Sequence, residues 1–529
     1  MSPSIMRAFI ILALVALVAA GCATVPGQNY PKQASTALAH PETTKLGRQL
    51  EAKAREHPSV SGFRLLPQGV DGFLVRAEMA ATAERTLDLQ YFVIQNDDTG
   101  MLLMDTVLRA ADRGVRVRML IDDSDDVLRD KQITALAAHK NIEIRIFNPF
   151  FSRGVFSFMR YPEFFFTSTR LNYRMHNKLF IADDAIAVLG GRNLGDEYFQ
   201  ASSEREFGDF DVLAAGPIVN QMSGSFDAYW NSELAIPAEG LVFNKTDPQQ
   251  LEKYRSDLAA NRSKMEGSPY VKRLTAADPL AGVLSGSIPL VWAKAELLYD
   301  SPEKSKVQAG EESGPLLRRK LGEAIREVKS ELVVVSPYLV PGEPGVKVLS
   351  DLRARGVRVR ILTNSLASTD MPIVHAGYQH YRVPMLKNGV ELYEVRPVLG
   401  EPDGSGGSLK SPSSGRFALH AKVFVLDRRR VFIGSMNFDR RSFRLNTEIG
   451  VLIDSPELAR QILARFDAIA KPANSYVVAL APNAVGVPQL TWRTEENGKL
   501  VESAIEPMGD LMRGVRTELL SLLPIDDLL

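Results

Sequence analysis

Arg113-Gly-Val-Arg-Val-Arg-Met-Leu-Ile-Asp122 returns almost unchanged as Arg355-Gly-Val-Arg-Val-Arg-Ile-Leu-Thr-Asn364. Each copy reads as a helix stop at glycine followed by a strand of alternating and apolar residues. Working outward, the flanking patterns repeat too. The run from Thr86 to Ile94 is strand-like, Met101–Asp112 is helical, and Asn141–Phe147 is a further strand. Glu331–Val335, Val346–Arg355 and Gly389–Glu394 repeat that series, and Phe226-Asp-Ala228 recurs as Phe466-Asp-Ala468. The interval is far longer than a solenoid repeat, so a whole domain is duplicated. Strands alternating with helices predict an α/β fold with a mostly parallel sheet in each half.

The 529 residues carry 63 basic and 63 acidic side chains. Such length supports two or more domains, and the balance argues against a protein that grips nucleic acid by bulk charge. A single cysteine excludes a disulfide framework and any cysteine-cluster metal site. That cysteine, Cys22, follows Arg7, an apolar run from Ala8 to Ala20, and Gly21. Thirteen apolar residues are too few to span a bilayer, which takes ~20. The pattern predicts a secretory signal over residues 1–22, and it resembles a lipoprotein lipobox, which implies acylation at Cys22. The expected location is the bacterial cell envelope, lipid-anchored and facing the periplasm. Residues 23–60 read as a tether, 61–240 as the first lobe, 241–285 as a polar linker and 286–475 as the second lobe. Residues 476–529 form a C-terminal extension whose apolar stripe from Met508 to Leu523 suggests an amphipathic helix.

Each half holds one histidine-lysine-aspartate run: His176-Asn-Lys178 leading to Asp183, and His420-Ala-Lys422 leading to Asp427. Both continue into a glycine turn ending in asparagine, Gly190-Gly-Arg-Asn193 and Gly434-Ser-Met-Asn437. One such run is a weak signal, but two in matching places of a duplicated unit are strong. On a strand, His176 and Lys178 point the same way, as do His420 and Lys422. The glycine turns are expected to let the backbone approach a ligand. Lobes packed face to face would gather two imidazoles, two ammonium groups and two amides, a setting suited to a phosphate. One histidine then attacks phosphorus while the other protonates the departing alcohol, with no metal or other cofactor required. Asp209 and Glu448, which superpose when the strands after each turn are aligned, are the candidates to orient the histidines.

These residues resemble the phospholipase D superfamily and, within it, the bacterial cardiolipin synthases of the C type. The closer likeness spans roughly 57–235 and 330–470, including Leu87-Asp-Leu-Gln-Tyr91, Arg174-Met-His-Asn-Lys178 and Val374-His-Ala-Gly-Tyr378; Leu522-Leu-Pro-Ile525 adds to it. The resemblance implies two α/β sandwich lobes around a pseudo-two-fold active site and a covalent phosphatidyl-histidine intermediate. His176 and His420 would be nucleophile and acid/base, with His176 favoured as nucleophile. Lys178, Lys422, Asn193 and Asn437 would hold phosphate, Asp209 and Glu448 would orient the imidazoles, and Asp183 and Asp427 look structural. Implied substrates are phosphatidylglycerol and phosphatidylethanolamine at a membrane surface, handled by a monomeric unit. Hydrolysis to phosphatidic acid is the alternative, and a superfamily nuclease is disfavoured by charge.

Three further features invite expectations. Residues 147–166 are rich in phenylalanine and lead towards His176, suggesting an apolar, cationic surface for lipid. The Arg-x-Arg pairs (Arg116/Arg118, Arg358/Arg360) read as solvated strand faces. His375 is the remaining histidine with a claim to touch substrate.

Overall fold

A computed structural model describes residues 25–124, 130–153, 158–202, 204–241, 247–275, 278–311, 313–400 and 416–508. The first lobe contributes strands β1 (Ser61–Leu66), β2 (Thr86–Tyr91), β3 (Arg116–Asp122), β4 (Ile142–Phe147), β5 (Leu179–Ala182), β6 (Ile186–Gly190), β7 (Arg205–Gly208), β8 (Asp211–Ala215) and β9 (Ala235–Pro237). The second contributes β10 (Val291–Tyr299), β11 (Glu331–Val335), β12 (Leu339–Val340), β13 (Arg358–Asn364), β14 (Glu391–Val395), β15 (Arg416–Leu419), β16 (Val423–Leu426), β17 (Arg430–Gly434), β18 (Phe438–Asp439), β19 (Ile449–Asp454) and β20 (Ser475–Pro482). A hairpin of β21 (Pro488–Glu496) and β22 (Lys499–Ser503) extends its edge.

Lobe 1 runs β9-β4-β3-β2-β5-β6-β8-β1, and lobe 2 repeats it as β20-β14-β13-β11-β16-β17-β19-β10. Within each, only β2-β3-β4 and β11-β13-β14 are parallel and the other five pairs antiparallel, so each sheet is mixed rather than mostly parallel, because the motif strands return as hairpins instead of through helical crossovers. The two copies meet where β1 pairs with β10, Gly62 opposite Trp292, so the duplicated sheets are continuous. Facing sides of both lobes also feed one core, in which Phe226 and Trp230 of helix Pro217–Trp230 lie with Ile462 and Phe466 of helix Pro456–Ile469. Each outer side has its own core of Val, Ile and Leu beneath helices.

The decisive repeat has a packing reason. Arg118 is buried, paired with Asp88 at 2.6 Å and Asp227 at 2.9 Å, its guanidinium 4.7 Å from the Phe226 ring. Arg360 repeats this with Glu331 at 3.0 Å, Asp467 at 2.5 Å and Phe466 at 4.7 Å. The second arginine of each Arg-x-Arg pair is thus a buried cross-brace to the repeated Phe-Asp dipeptide, not a solvated face. Only Arg116 and Arg358 stay partly or fully exposed.

The segment read as a tether is docked over its described part. Lys32 donates to the Ser232 and Ala235 carbonyls, Ala37 N–H donates to Asp227, and helix Lys45–Arg55 buries Leu46 and Leu50. The stretch read as a polar linker is a helical cap on lobe 1, with Leu251, Tyr254, Leu258 and Tyr270 buried in its core. The signal segment, Cys22 and the tail from 509 lie outside the described residues. No helix among the described residues is long and apolar enough to cross a membrane.

Candidate active site

Each histidine is delivered by the residue that ends the repeated strand. Asp122 accepts from Met175 N–H at 2.7 Å and binds Arg174, while Asn364 accepts from Leu419 N–H at 2.8 Å and donates to the Leu419 carbonyl. Met175 and Leu419 immediately precede the two histidines. These positioning residues escaped the reading of the sequence, although both sit at the last place of the decisive stretch.

The acids cross between lobes. His176 Nδ1 lies 2.9 Å from Glu448 Oε2, and His420 Nδ1 lies 2.7 Å from Asp209 Oδ2. Backbone pairing enforces the crossing. Met175 bridges Thr447 in parallel, with His176 N–H donating to the Thr447 carbonyl at 2.9 Å. Strand β7, which leads into Asp209, pairs with β15, which leads into His420. Each histidine is oriented by the other half, so the site exists only when the lobes are joined.

The glycine turns pack tightly against the acid or the strand that follows it. A Cβ on Gly191 would stand 2.3 Å from Asp209 Oδ1, and one on Gly434 would stand 2.3 Å from the Ile449 carbonyl oxygen. The position matching Gly191 is Ser435, whose hydroxyl donates to Glu448. Arg192 is buried and ties the Leu66, Pro67 and Asp209 carbonyls together. Met436, its counterpart, packs in the lobe 2 core.

Both motif lysines are buried. Lys178 Nζ donates to the His176 carbonyl at 2.6 Å and lies 5.3 Å from the Phe92 ring, while Lys422 Nζ sits 2.9 Å from His420 Nδ1. Phe92 meets the His176 ring edge-on at 5.1 Å, and Tyr198 meets His420 edge-on at 5.2 Å. Asn193 donates to the Tyr198 hydroxyl at 3.0 Å. Asn437 Oδ1 is buried with no hydrogen-bond partner among the described residues. Phe92 and Tyr198 carry no motif signature, so they could not be singled out beforehand.

Burial, then Lys178, Lys422 and His420 in turn, push the His176 imidazole well below its usual range. That Lys422 and His420 act on His176 places both motifs in one charge cluster. Burial and Lys422 also lower His420, but Asp209 opposes them. Burial pushes Glu448 up to about 7, whereas the His420 hydrogen bond and Lys422 outweigh burial and hold Asp209 at about 2. Burial lowers Lys422 to about 8 and Lys178 well below the usual lysine range.

The motif aspartates stand apart. Asp183 accepts backbone N–H bonds from Glu84, Arg85 and Thr86 at the start of β2, and Asp427 does the same for Lys329, Ser330 and Glu331 at the start of β11. His375 is not at the site; it is buried, 2.7 Å from Glu506 and 2.6 Å from Arg382. In the phenylalanine-rich segment, Phe151, Phe158, Phe164 and Phe166 are exposed, with Tyr161 79% exposed. Its cations are committed, however: Arg153 and Arg160 to Asp123 and Arg174 to Asp122, so the surface is apolar rather than cationic.

Two buried His-x-Lys arms from duplicated lobes, each histidine held by the opposite lobe's acid, define a phosphodiester-transfer site of the phospholipase D class. A family profile described as "Cardiolipin synthase, PLD-like domain" matches residues 77–230 and 321–470. Cardiolipin synthase C of Escherichia coli (strain K12) is 36% identical over 482 residues, covering 90% of this chain and 97% of the relative. A cardiolipin synthase of Clostridium perfringens (strain 13 / Type A) is 23% identical over 387 residues, covering 73% and 65%. Among solved structures, phosphatidylserine synthase of Haemophilus influenzae Rd KW20 shares the fold with a TM-score of 0.53 at 14% identity, covering 81% of this chain and 92% of that one. The chain belongs to the phospholipase D-like family of the cardiolipin synthase type, and it is a phosphatidyltransferase-class enzyme.

Proposed function

We propose that the enzyme makes cardiolipin by moving a phosphatidyl group from phosphatidylglycerol or phosphatidylethanolamine to phosphatidylglycerol through a covalent phosphatidyl-His176. The observation that carries this is the crossed pairing of two buried imidazoles, each held by the other lobe's acid. His176, lowered furthest, presents a neutral ring, and its Nδ1–H donates to Glu448 so that Nε2 holds the lone pair. His420 is lowered less, because its hydrogen bond to an ionised Asp209 opposes burial and Lys422, so it is the better placed of the two to pass a proton to the leaving oxygen.

Nε2 of His176 attacks phosphorus, and the P–O bond to the headgroup alcohol breaks. The departing oxygen takes its proton from His420. The acceptor hydroxyl then returns a proton to His420 and attacks the same phosphorus, and the P–N bond breaks to restore His176. Lys178, Lys422, Asn193 and Asn437 serve the phosphate oxygens, with fixed donors in a water-poor site lowering the barrier more than solvent would. Substrates reach the site from a bilayer against which the exposed phenylalanines rest, and acylated Cys22 keeps the enzyme on the envelope membrane.

The test is lipid mass spectrometry of cells overproducing wild type, His176→Ala or His420→Ala. Cardiolipin should rise with wild type and fall to the vector level with either variant. Unchanged cardiolipin in a folded variant overturns the reading, and phosphatidic acid as the main product moves it to hydrolysis.

A further inference from the structure

The strongest break in the molecule's pseudo-symmetry lies outside the catalytic cluster. In lobe 1, the groove between helices Gly69–Thr82 and Asp98–Asp112 is closed. Phe199 is fully buried there, 5.4 Å from the Phe73 ring, and Tyr270 from the helical cap stacks edge-on against Phe73 at 5.9 Å. Phe199 stands six places after Asn193. Six places after Asn437 stands Phe443, which is only half-buried. No cap covers it. Between helices Leu317–Arg326 and Gly342–Ala354 lies instead a cavity of about 690 Å³.

The floor of this cavity is apolar, formed by Leu321, Ile325, Val348, Phe424, Phe438 and Phe443. Its wall carries five arginines, Arg318, Arg319, Arg326, Arg440 and Arg444, against one acid, Glu343. The side chains of Arg318, Arg319, Arg326 and Arg444 have no hydrogen bond or ion pair among the described residues, and Arg319, Arg326 and Arg444 are exposed. Such a volume falls within the usual range for small-molecule sites, about 300–1,000 Å³. Guanidinium groups suit phosphate oxygens, and an apolar floor suits a hydrocarbon chain. The charge excess excludes a cationic or neutral headgroup as the favoured occupant.

We infer that this cavity binds an anionic phospholipid molecule in addition to the ones bound at the reacting histidines, with an acyl chain on the phenylalanine floor and the phosphate among the arginines. Phe438 lies directly after Asn437, so the site backs onto the turn that carries an active-site amide. The inference does not depend on the proposed transfer reaction, because occupancy is scored without turnover.

The experiment uses the full chain with His176→Ala and His420→Ala in vesicles containing phosphatidylglycerol bearing a photoactivatable acyl chain, with labelled peptides mapped by mass spectrometry. Label should concentrate on peptides holding Leu321, Val348 or Phe443. It should fall at least about tenfold in two variants made on that background. One is the triple charge reversal Arg319→Glu/Arg326→Glu/Arg444→Glu. The other is Gly322→Phe, which fills the cavity from a helix position where an added Cβ meets nothing nearer than Arg326 at 3.8 Å. A thermal melt matched to the parent checks that each variant folds. Equal labelling by a phosphatidylcholine probe, label unchanged in both variants, or cross-links from these peptides to residues 509–529 of the same chain would each overturn the inference.

Discussion

Glu448 and Asp209 occupy equivalent places, yet Asp209 stays ionised through the neutral range while Glu448 titrates at about 7, and the proposed direction of the reaction rests on that difference. In the proposed mechanism, Glu448 protonated below about 7 would donate to His176 Nδ1, moving the ring proton to Nε2 and removing the lone pair that attacks phosphorus. Above about 8 Lys422 loses its charge and with it a phosphate partner. Activity should therefore rise as pH climbs through about 7 and fall beyond about 8. Glu448→Gln should lower kcat by about 10²–10⁴-fold and abolish the acidic limb, and Lys422→Arg should shift the alkaline limb upward. Both are read from kcat/KM against pH in mixed micelles; a Glu448→Gln enzyme with an unaltered acidic limb would contradict the assignment.

At the scale of elements, the two motif aspartates work as strand clamps. Each sits at positive φ, 52° for Asp183 and 53° for Asp427, in the turn after its motif strand, and gathers three backbone N–H groups at the start of the neighbouring strand. Asp183 is fully buried, whereas Asp427 is half-buried. Stranding buried donors costs about 1–3 kcal/mol. Asp183→Ala should thus lower the urea midpoint more than Asp427→Ala, while kcat of the remaining folded enzyme stays near wild type. A large loss of kcat with an unchanged midpoint would place these carboxylates in the chemistry instead.

At the scale of the molecule, the proposed membrane contact rests on the exposed aromatic segment and the docked N-terminal strap. Lys32 is fixed to lobe 1, and Cys22 is ten residues earlier. A chain of that length spans at most ~35 Å. Acylation at Cys22, as proposed, would hold lobe 1 within that distance of the bilayer. Radiolabelled palmitate should be incorporated in cells and be absent from Cys22→Ser. In that unanchored background, Phe158→Ser with Phe166→Ser should weaken partitioning onto phosphatidylglycerol vesicles about tenfold in a sedimentation assay, equivalent to ~1.4 kcal/mol. Equal partitioning would remove the phenylalanine face from the membrane contact.

The duplication, the strand and helix series, the two His-x-Lys arms and the candidate acids were legible in the chain itself, because periodicity and motif spacing are local properties. Local pattern could not say that Arg118 and Arg360 turn inward, since a charged residue at a strand position looks solvated until its buried partner is known. Nor could it show His375 locked to Glu506, 131 residues away. The pairing of each histidine with the other lobe's acid, the closing of the groove in lobe 1 and its opening in lobe 2 were decided only by tertiary structure. Those relations join segments hundreds of residues apart, and they arise from how two near-identical sheets meet along one edge, a fact written in no single stretch of sequence.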